Sequence, residues 1–368
     1  MKKRLTLAAL AVMMLLDACS GPDDDAVLRR ENGNLLCVNL DVLGELMEPV
    51  SRFSLEDVSQ PLGEIRLGEE PETFIKGRAD FGYFDDKSVL VSGSERVIRV
   101  SLADGSLLNE YGRKGRGPGE YVQEMSAFAK DGKVYVTDII SKVHIYDADG
   151  EFLEERPLID NNSQFNSLGP LEGGLFLIVY SSLSYKKQLY DVVDKDLKPV
   201  RTSSLKPENS AAERKWTDNG GIRLGKSIRF GDQDCVVLGD TLYRVTAKRE
   251  SPCLYYLYQK DKLNRKTVIQ SGHWLFVEAA YNDHDVHAVL DTRRSDVVFL
   301  AARKKTSITV ETPRGPMTVP ALDNTVENGL PIEWDGQTHY VWPVMADRGL
   351  LICQDQHASD NYYCFRLK

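Results

Sequence analysis

The feature that most restricts this 368-residue chain is an internal repeat with a spacing of 45 residues. Residues 89–111, VLVSGSERVIRVSLADGSLLNEY, align without a gap on residues 134–156, VYVTDIISKVHIYDADGEFLEER. Val89, Val91, Ile98 and Val100 fall on Val134, Val136, Val143 and Ile145, and Ala103-Asp104-Gly105 falls on Ala148-Asp149-Gly150. A fainter third copy carries Val179, Tyr190, Asp194 and Leu197. Within each unit apolar residues alternate with polar ones, the period of a half-buried strand. Asp-Gly between two such runs marks a tight turn, because the turn needs positive φ. An antiparallel unit of this size is one propeller blade. Segments 228–258, 273–300 and 339–367 keep the alternation, with turns such as Gly239-Asp240, and the chain from Pro61 to Lys368 has room for six or seven units. The predicted fold is all-β: a six-bladed β-propeller of four-stranded antiparallel blades, with seven blades as the alternative.

The N-terminus carries an address. Lys2, Lys3 and Arg4 precede the apolar run Leu5 to Leu16, which is too short to span a bilayer and suits a secretory signal. The run ends at Leu16-Asp17-Ala18-Cys19, which reads as a lipobox, with Asp17 an unusual occupant. Residues 1–18 are then a signal peptide, Cys19 takes the lipid, and 19–34 form an acidic tether opening with SGPDDD. The propeller occupies 35–368. The expected location is the outer membrane, on its periplasmic face or at the cell surface, with the lipid anchoring a soluble body.

Charge and cysteine usage narrow the partners. The chain has net charge −9 and no basic block, which disfavours nucleic acid, since phosphate binding needs clustered cations. No Cys/His cluster has zinc spacing, so no metal site is assigned. Cys353 and Cys364 flank a polar turn and are a candidate disulfide across a hairpin.

The stretch YGRKGRGPGEY (111–121) has the glycines and cations of a phosphate loop. Such a loop needs a strand before it and a helix after it. Here strands are expected on both sides, and Pro118 removes a donor, so the stretch is read as a corner between blades. Arg113, Lys114, Arg116 and Glu120 form a candidate binding loop near the central channel, or a self-compensating turn. His284 and His287 flank Asp285-Val286 and would reach one ion only from a bend at Asn282-Asp283; a surface loop is the plainer reading. Asp138 is expected to cap its own turn, and His144 and His273 to pack beside strands.

GRKGRGPGEY, followed by VYVTD, VHIY and DADG, resembles the signature of six-bladed β-propeller lipoproteins, relatives of NHL-repeat and TolB-like propellers. LEDVSQPLGEIRLG (55–68) is similar to that family's entry segment. The resemblance covers about residues 55–158, favours six blades, and implies an envelope lipoprotein with no general catalytic set to transfer. The expected function is a lipid-anchored binding or scaffold module for a protein or small ligand. The alternative is a propeller hydrolase or lyase, with Ca²⁺ as its one candidate cofactor, held by carboxylates at the channel mouth. No nucleophile elbow is present, and the catalytic residues of that alternative are unknown.

Overall fold

The computed structural model describes residues 26–368, except 32–34, 47, 69–71, 94, 159–165, 181–189, 206–227, 232, 239–240, 259–262, 282–283, 313–314, 323–326 and 328. The signal segment, Cys19, Gly239-Asp240 and Asn282-Asp283 lie outside the described residues.

Six antiparallel blades follow one another along the chain, innermost strand first. Blade 1 comprises Asp80–Asp85, Ser88–Gly93, Arg96–Ser101 and Leu107–Lys114, with Glu120–Tyr121 added in parallel. Blade 2 comprises Glu124–Lys130, Lys133–Asp138, Lys142–Asp147 and Phe152–Pro157. Blade 3 comprises Asn166–Leu171, Leu175–Tyr180, Tyr190–Val193 and Pro199–Thr202. Blade 4 comprises Ile228–Phe230, Gln233–Leu238, Thr241–Val245 and Glu250–Leu257. Blade 5 comprises Leu263–Ser271, Trp274–Tyr281, His284–Asp291 and the long strand Asp296–Thr312. Blade 6 uses both ends of the chain: the second half of Gln337–Asp347, then Leu350–Asp355 and Asn361–Leu367, closed outside by Ser59–Arg66. The segment resembling a family entry thus supplies the strand that closes the ring.

Two hairpins outside the blades use the length that a seventh blade would need. Asp296–Thr312 runs past blade 5 and pairs with Gly315–Leu322. The first half of Gln337–Asp347 pairs with Leu330–Trp334.

One apolar cluster fills each of the six seams. Leu90, Tyr111, Tyr121, Val136 and Tyr146 join blades 1 and 2, and Val143, Ile145, Leu168 and Ile178 join blades 2 and 3. Val179, Val192 and Val236 join blades 3 and 4, and Leu254, Leu275 and Val277 join blades 4 and 5. Phe276, Trp342 and Leu351 join blades 5 and 6, and Ile65, Val89, Ile352 and Cys364 close the circle. Apolar residues on both faces of each blade are therefore removed from water by the next blade, the dominant stabilising term in such a ring.

The repeat survives with one change. In blade 1 Val89 pairs with Val100, but in blade 2 Val134 pairs with Tyr146 rather than Ile145. An extra residue before the third strand of blade 2 and one fewer after it cancel in the ungapped alignment. Because side chains alternate across a sheet, this one-residue slip turns Val143 and Ile145 to the opposite face from Val134 and Val136. His144 consequently occupies the buried place of Ile98.

The glycines of the two Ala-Asp-Gly turns are required twice over. Gly105 and Gly150 have φ of 69° and 92°. A Cβ on Gly105 would lie 3.0 Å from Glu64 O, and one on Gly150 would lie 2.7 Å from Glu110 O. Each turn thus docks on the outer strand of the preceding blade, where only glycine allows both the conformation and the approach.

An N-terminal arm sews three consecutive blades together. Leu28–Glu31 and Leu35–Asn39 extend blade 4, Val50–Ser51 pairs with blade 5, and Ser59–Arg66 completes blade 6. Leu28–Glu31 falls within the stretch 19–34 assigned from sequence to the tether. Between these contacts lie helices α1 (Leu40–Glu45) and α2 (Leu55–Val58). Asn39 caps α1 by accepting from the N–H groups of Asp41 and Val42, while Leu40 and Leu43 are buried in the seam of blades 4 and 5. The arm covers edge strands that would otherwise present unpaired backbone groups.

Candidate binding groove

The stretch 111–121 is the corner that its sequence suggested, and its cations are largely compensated. Arg113 Nε lies 3.0 Å from Glu120 Oε1, and Lys114 Nζ lies 2.9 Å from Glu95 Oε1. The second oxygen of Glu120 accepts from the N–H groups of Arg116 and Gly117, at 3.0 and 2.9 Å. The Gly117 N–H, the Arg113 guanidinium and the Arg116 N–H hold the Glu120 carboxyl below its ordinary range. The Arg116 side chain is exposed and makes no ion pair among the described residues. The loop's position corrects the sequence reading. Gly119, at φ 70°, packs on Phe152, and its carbonyl accepts from Tyr146 Oη at 2.9 Å. Those partners belong to the outer two strands of blade 2, away from the innermost strands around the channel. The loop is an interblade latch, and Tyr111 reinforces it by donating to Ala148 O at 2.9 Å.

Asp138 caps its own turn through the N–H of Ile140 and also accepts from the N–H groups of Val122 and Gln123, tying the latch to blade 2. His144 is buried beside it, with Nε2 at 3.6 Å from Asp138 Oδ2.

Cys353 and Cys364 do not pair. Cys353 lies opposite Tyr363, and Cys364 opposite Ile352, so the two thiols face different seams and both are free. The adjacent pair is Cys235 and Cys253 in blade 4, with sulfurs 3.7 Å apart, which sequence spacing did not flag. His284 and His287 belong to one extended strand. His287 is buried and stacks on Trp342 at 4.2 Å, so it serves the seam of blades 5 and 6.

At the channel, Arg229 of blade 4 bridges Asp234 of its own blade, at 2.9 Å, and Asp347 of blade 6, at 3.2 Å. One guanidinium thus pairs with two of the acids there. Among the described residues no group of three or more His, Cys, Asp or Glu is arranged to hold a metal.

A groove lies elsewhere, at the closure seam between blades 6 and 1. It has a volume of about 890 Å³ and is lined by Glu64, Arg66, Glu72, Asp104, Trp334 and Asp335, with backbone from the Ala103–Leu107 turn. Four carboxylates face one guanidinium, and Arg66 is already held by Glu64 at 2.9 and 3.0 Å. Ser101 and Ser106 hold the Asp104 carboxyl below its ordinary range. Trp334 is set by a chain of contacts: it meets Tyr363 edge-on at 5.2 Å, and Tyr363 Oη lies 2.9 Å from His339 Nδ1. Asp355, 2.9 Å from the same nitrogen, completes the support. Burial raises the Tyr363 phenol, so it stays a neutral hydrogen-bonding group. A fixed indole beside excess negative charge suits a cation with an apolar stem. None of the lining residues was singled out from sequence as a site. Glu64, Asp104 and Trp334 meet only because the ring closes.

The six-blade ring with its strand-exchange closure makes this chain a six-bladed β-propeller protein. Residues 101–203 match the DUF5128 family, described as a 6-bladed beta-propeller. A Bacteroides fragilis NCTC 9343 protein described as exported overlays with a TM-score of 0.61 at 14% identity, covering 91% of this chain and 99% of that one. BamB from Moraxella catarrhalis gives 0.37 at 11% identity, covering 84% of this chain and 91% of its own. The Dos1 propeller gives 0.42 at 11% identity, with coverages of 84% and 95%. The first shares the fold; the overlap with the other two is too loose to bear on function. No curated protein matches the chain significantly. Among the described residues no helix is long and apolar enough to cross a membrane.

Proposed function

We propose that this propeller is a lipid-anchored binding module of the outer membrane, and that its groove between blades 6 and 1 takes a lysine- or arginine-bearing segment of a partner protein. The observation that carries the reading is the groove itself: Trp334, held by Tyr363, stands among Glu64, Glu72, Asp104 and Asp335. The carboxylates attract the cation and the indole receives its stem or its charge. The lipobox at Cys19 supports the anchor. The test is a titration with a fluorescein-labelled peptide of alternating lysine and glycine, read by anisotropy. Trp334→Ala should weaken binding tenfold or more, and Asp335→Asn with Asp104→Asn should weaken it and flatten its salt dependence. Equal affinity across wild type and all variants would sink the groove.

A further inference from the structure

The hairpin that continues blade 5 stands apart from the ring. Its strands pair from Lys305↔Leu322 to Thr312↔Gly315, and among the described residues no second strand pairs with Gly315–Leu322 in the sheet. Thr309, Val310, Pro316, Met317 and Thr318 are all exposed. Val310 and Met317 are direct cross-strand partners, 40% and 53% exposed, so they form a two-residue apolar patch on one face near the tip. A two-stranded hairpin has little stability alone in water, so a contact that covers its exposed tip would stabilise it. Strand addition to the free edge is a poor account, because Pro316 and Pro320 remove two N–H donors from it.

The start of the described chain points to the occupant. Asn39 N donates to Val27 O at 2.8 Å, and Asn39 pairs in parallel with Leu257, the last residue of blade 4's outer strand. The chain therefore enters the fold at the C-terminal end of that strand. The hairpin leaves from the C-terminal end of the outer strand of the adjacent blade, and outer strands run the same way around a propeller. Tether and hairpin thus emerge on one side of the ring, on neighbouring blades. Their reaches agree: residues 19–25 span at most ~25 Å when extended, and eight strand residues rise ~26 Å.

We infer that Val310 and Met317 form a second membrane contact, dipping into the bilayer surface that holds the lipid on Cys19. This rests on the lipid-anchor reading above. A lipobox cysteine carries a diacylglyceryl group, whose two acyl chains hold the protein at a single point, and a protein contact beside it adds to that hold. It also fixes orientation, turning the side of the ring that carries the hairpin toward the bilayer.

Two experiments separate the inference from the reading on which it rests. Fractionation of cells carrying wild type or Cys19→Ser tests the anchor through acyl labelling and release from membranes by high salt; an unlabelled wild type overturns the anchor alone. The hairpin is tested without acyl chains, using residues 19–368 bearing Cys19→Ser and sedimentation with phosphatidylethanolamine–phosphatidylglycerol vesicles. V310D/M317D should lower the bound fraction at least fivefold while leaving the melting temperature unchanged. Met317→Trp should raise the bound fraction and blue-shift its emission on the vesicles. Unchanged partition of V310D/M317D, or no shift for Met317→Trp, overturns the contact.

Discussion

Asp138 shows how much one carboxylate can organise when it is buried beside a chain crossing. Burial alone would raise its pKa, but the neighbouring His144 and the N–H groups of Val122, Ile140 and Gln123 outweigh that and hold it below the ordinary range. A carboxyl with a depressed folded pKa stabilises fully above its unfolded pKa, and that stability is lost as pH falls through the folded value. Asp138→Asn should therefore be the less stable protein at pH 7. It should then lose less melting temperature than wild type between pH 5 and pH 2. Parallel acid limbs for the two proteins would count against this role. Asp138 was legible from sequence as a turn cap. Its hold on Val122 and Gln123 was not, because those partners lie 15 and 16 residues away and only the register of blade 2 brings them near.

The arm makes its contribution as a set of short elements. Helix α1 is a turn and a half, too short to persist alone, so its stability comes from burying Leu40 and Leu43 between blades 4 and 5. Gly44 fits against the ring of Tyr281, whose hydroxyl bonds to Asp41, fixing the helix on blade 5. Leu43→Ala should cost about 2–5 kcal/mol, measured by urea denaturation. Leu46, just beyond the helix and 37% exposed, is the control, and Leu46→Ala should change stability by about 0.5 kcal/mol or less. Equal effects at the two positions would mean that α1 is not held by the seam. Sequence alternation identified the blade strands, because period-two burial is local. It could not identify the arm, in which Leu35–Asn39, Val50–Ser51 and Ser59–Arg66 find their blade partners more than 200 residues away.

At the scale of the whole molecule, the ring is closed by Ser59–Arg66 on Asn361–Leu367. That pairing buries Ile65 and Cys364 in the last seam and brings Glu64 and Arg66 to the groove beside Trp334. A chain of residues 67–368 should lose both: a lower urea midpoint with a broadened transition, and no peptide binding. Adding a peptide of residues 55–68 should restore the midpoint in part; a truncated chain that unfolds at the wild-type midpoint would show that the closure is dispensable. The sequence by itself determined the strand class, the blade unit and the corner at 111–121, since alternation and turn chemistry act between near neighbours. The ungapped repeat does not reveal that Val143 and Ile145 face the opposite way from Val134 and Val136, because two compensating one-residue changes leave sequence spacing intact while flipping side chains. The six blades that the resemblance favoured are the six of the structure, while only the tertiary structure decided the separation of Cys353 from Cys364, the arm and the groove. The two cysteines are parted by the register of one hairpin, whereas the arm and the groove depend on which distant edges meet when the ring closes, and edge pairing is chosen by buried area and backbone hydrogen bonding across the whole circle rather than by any local signal.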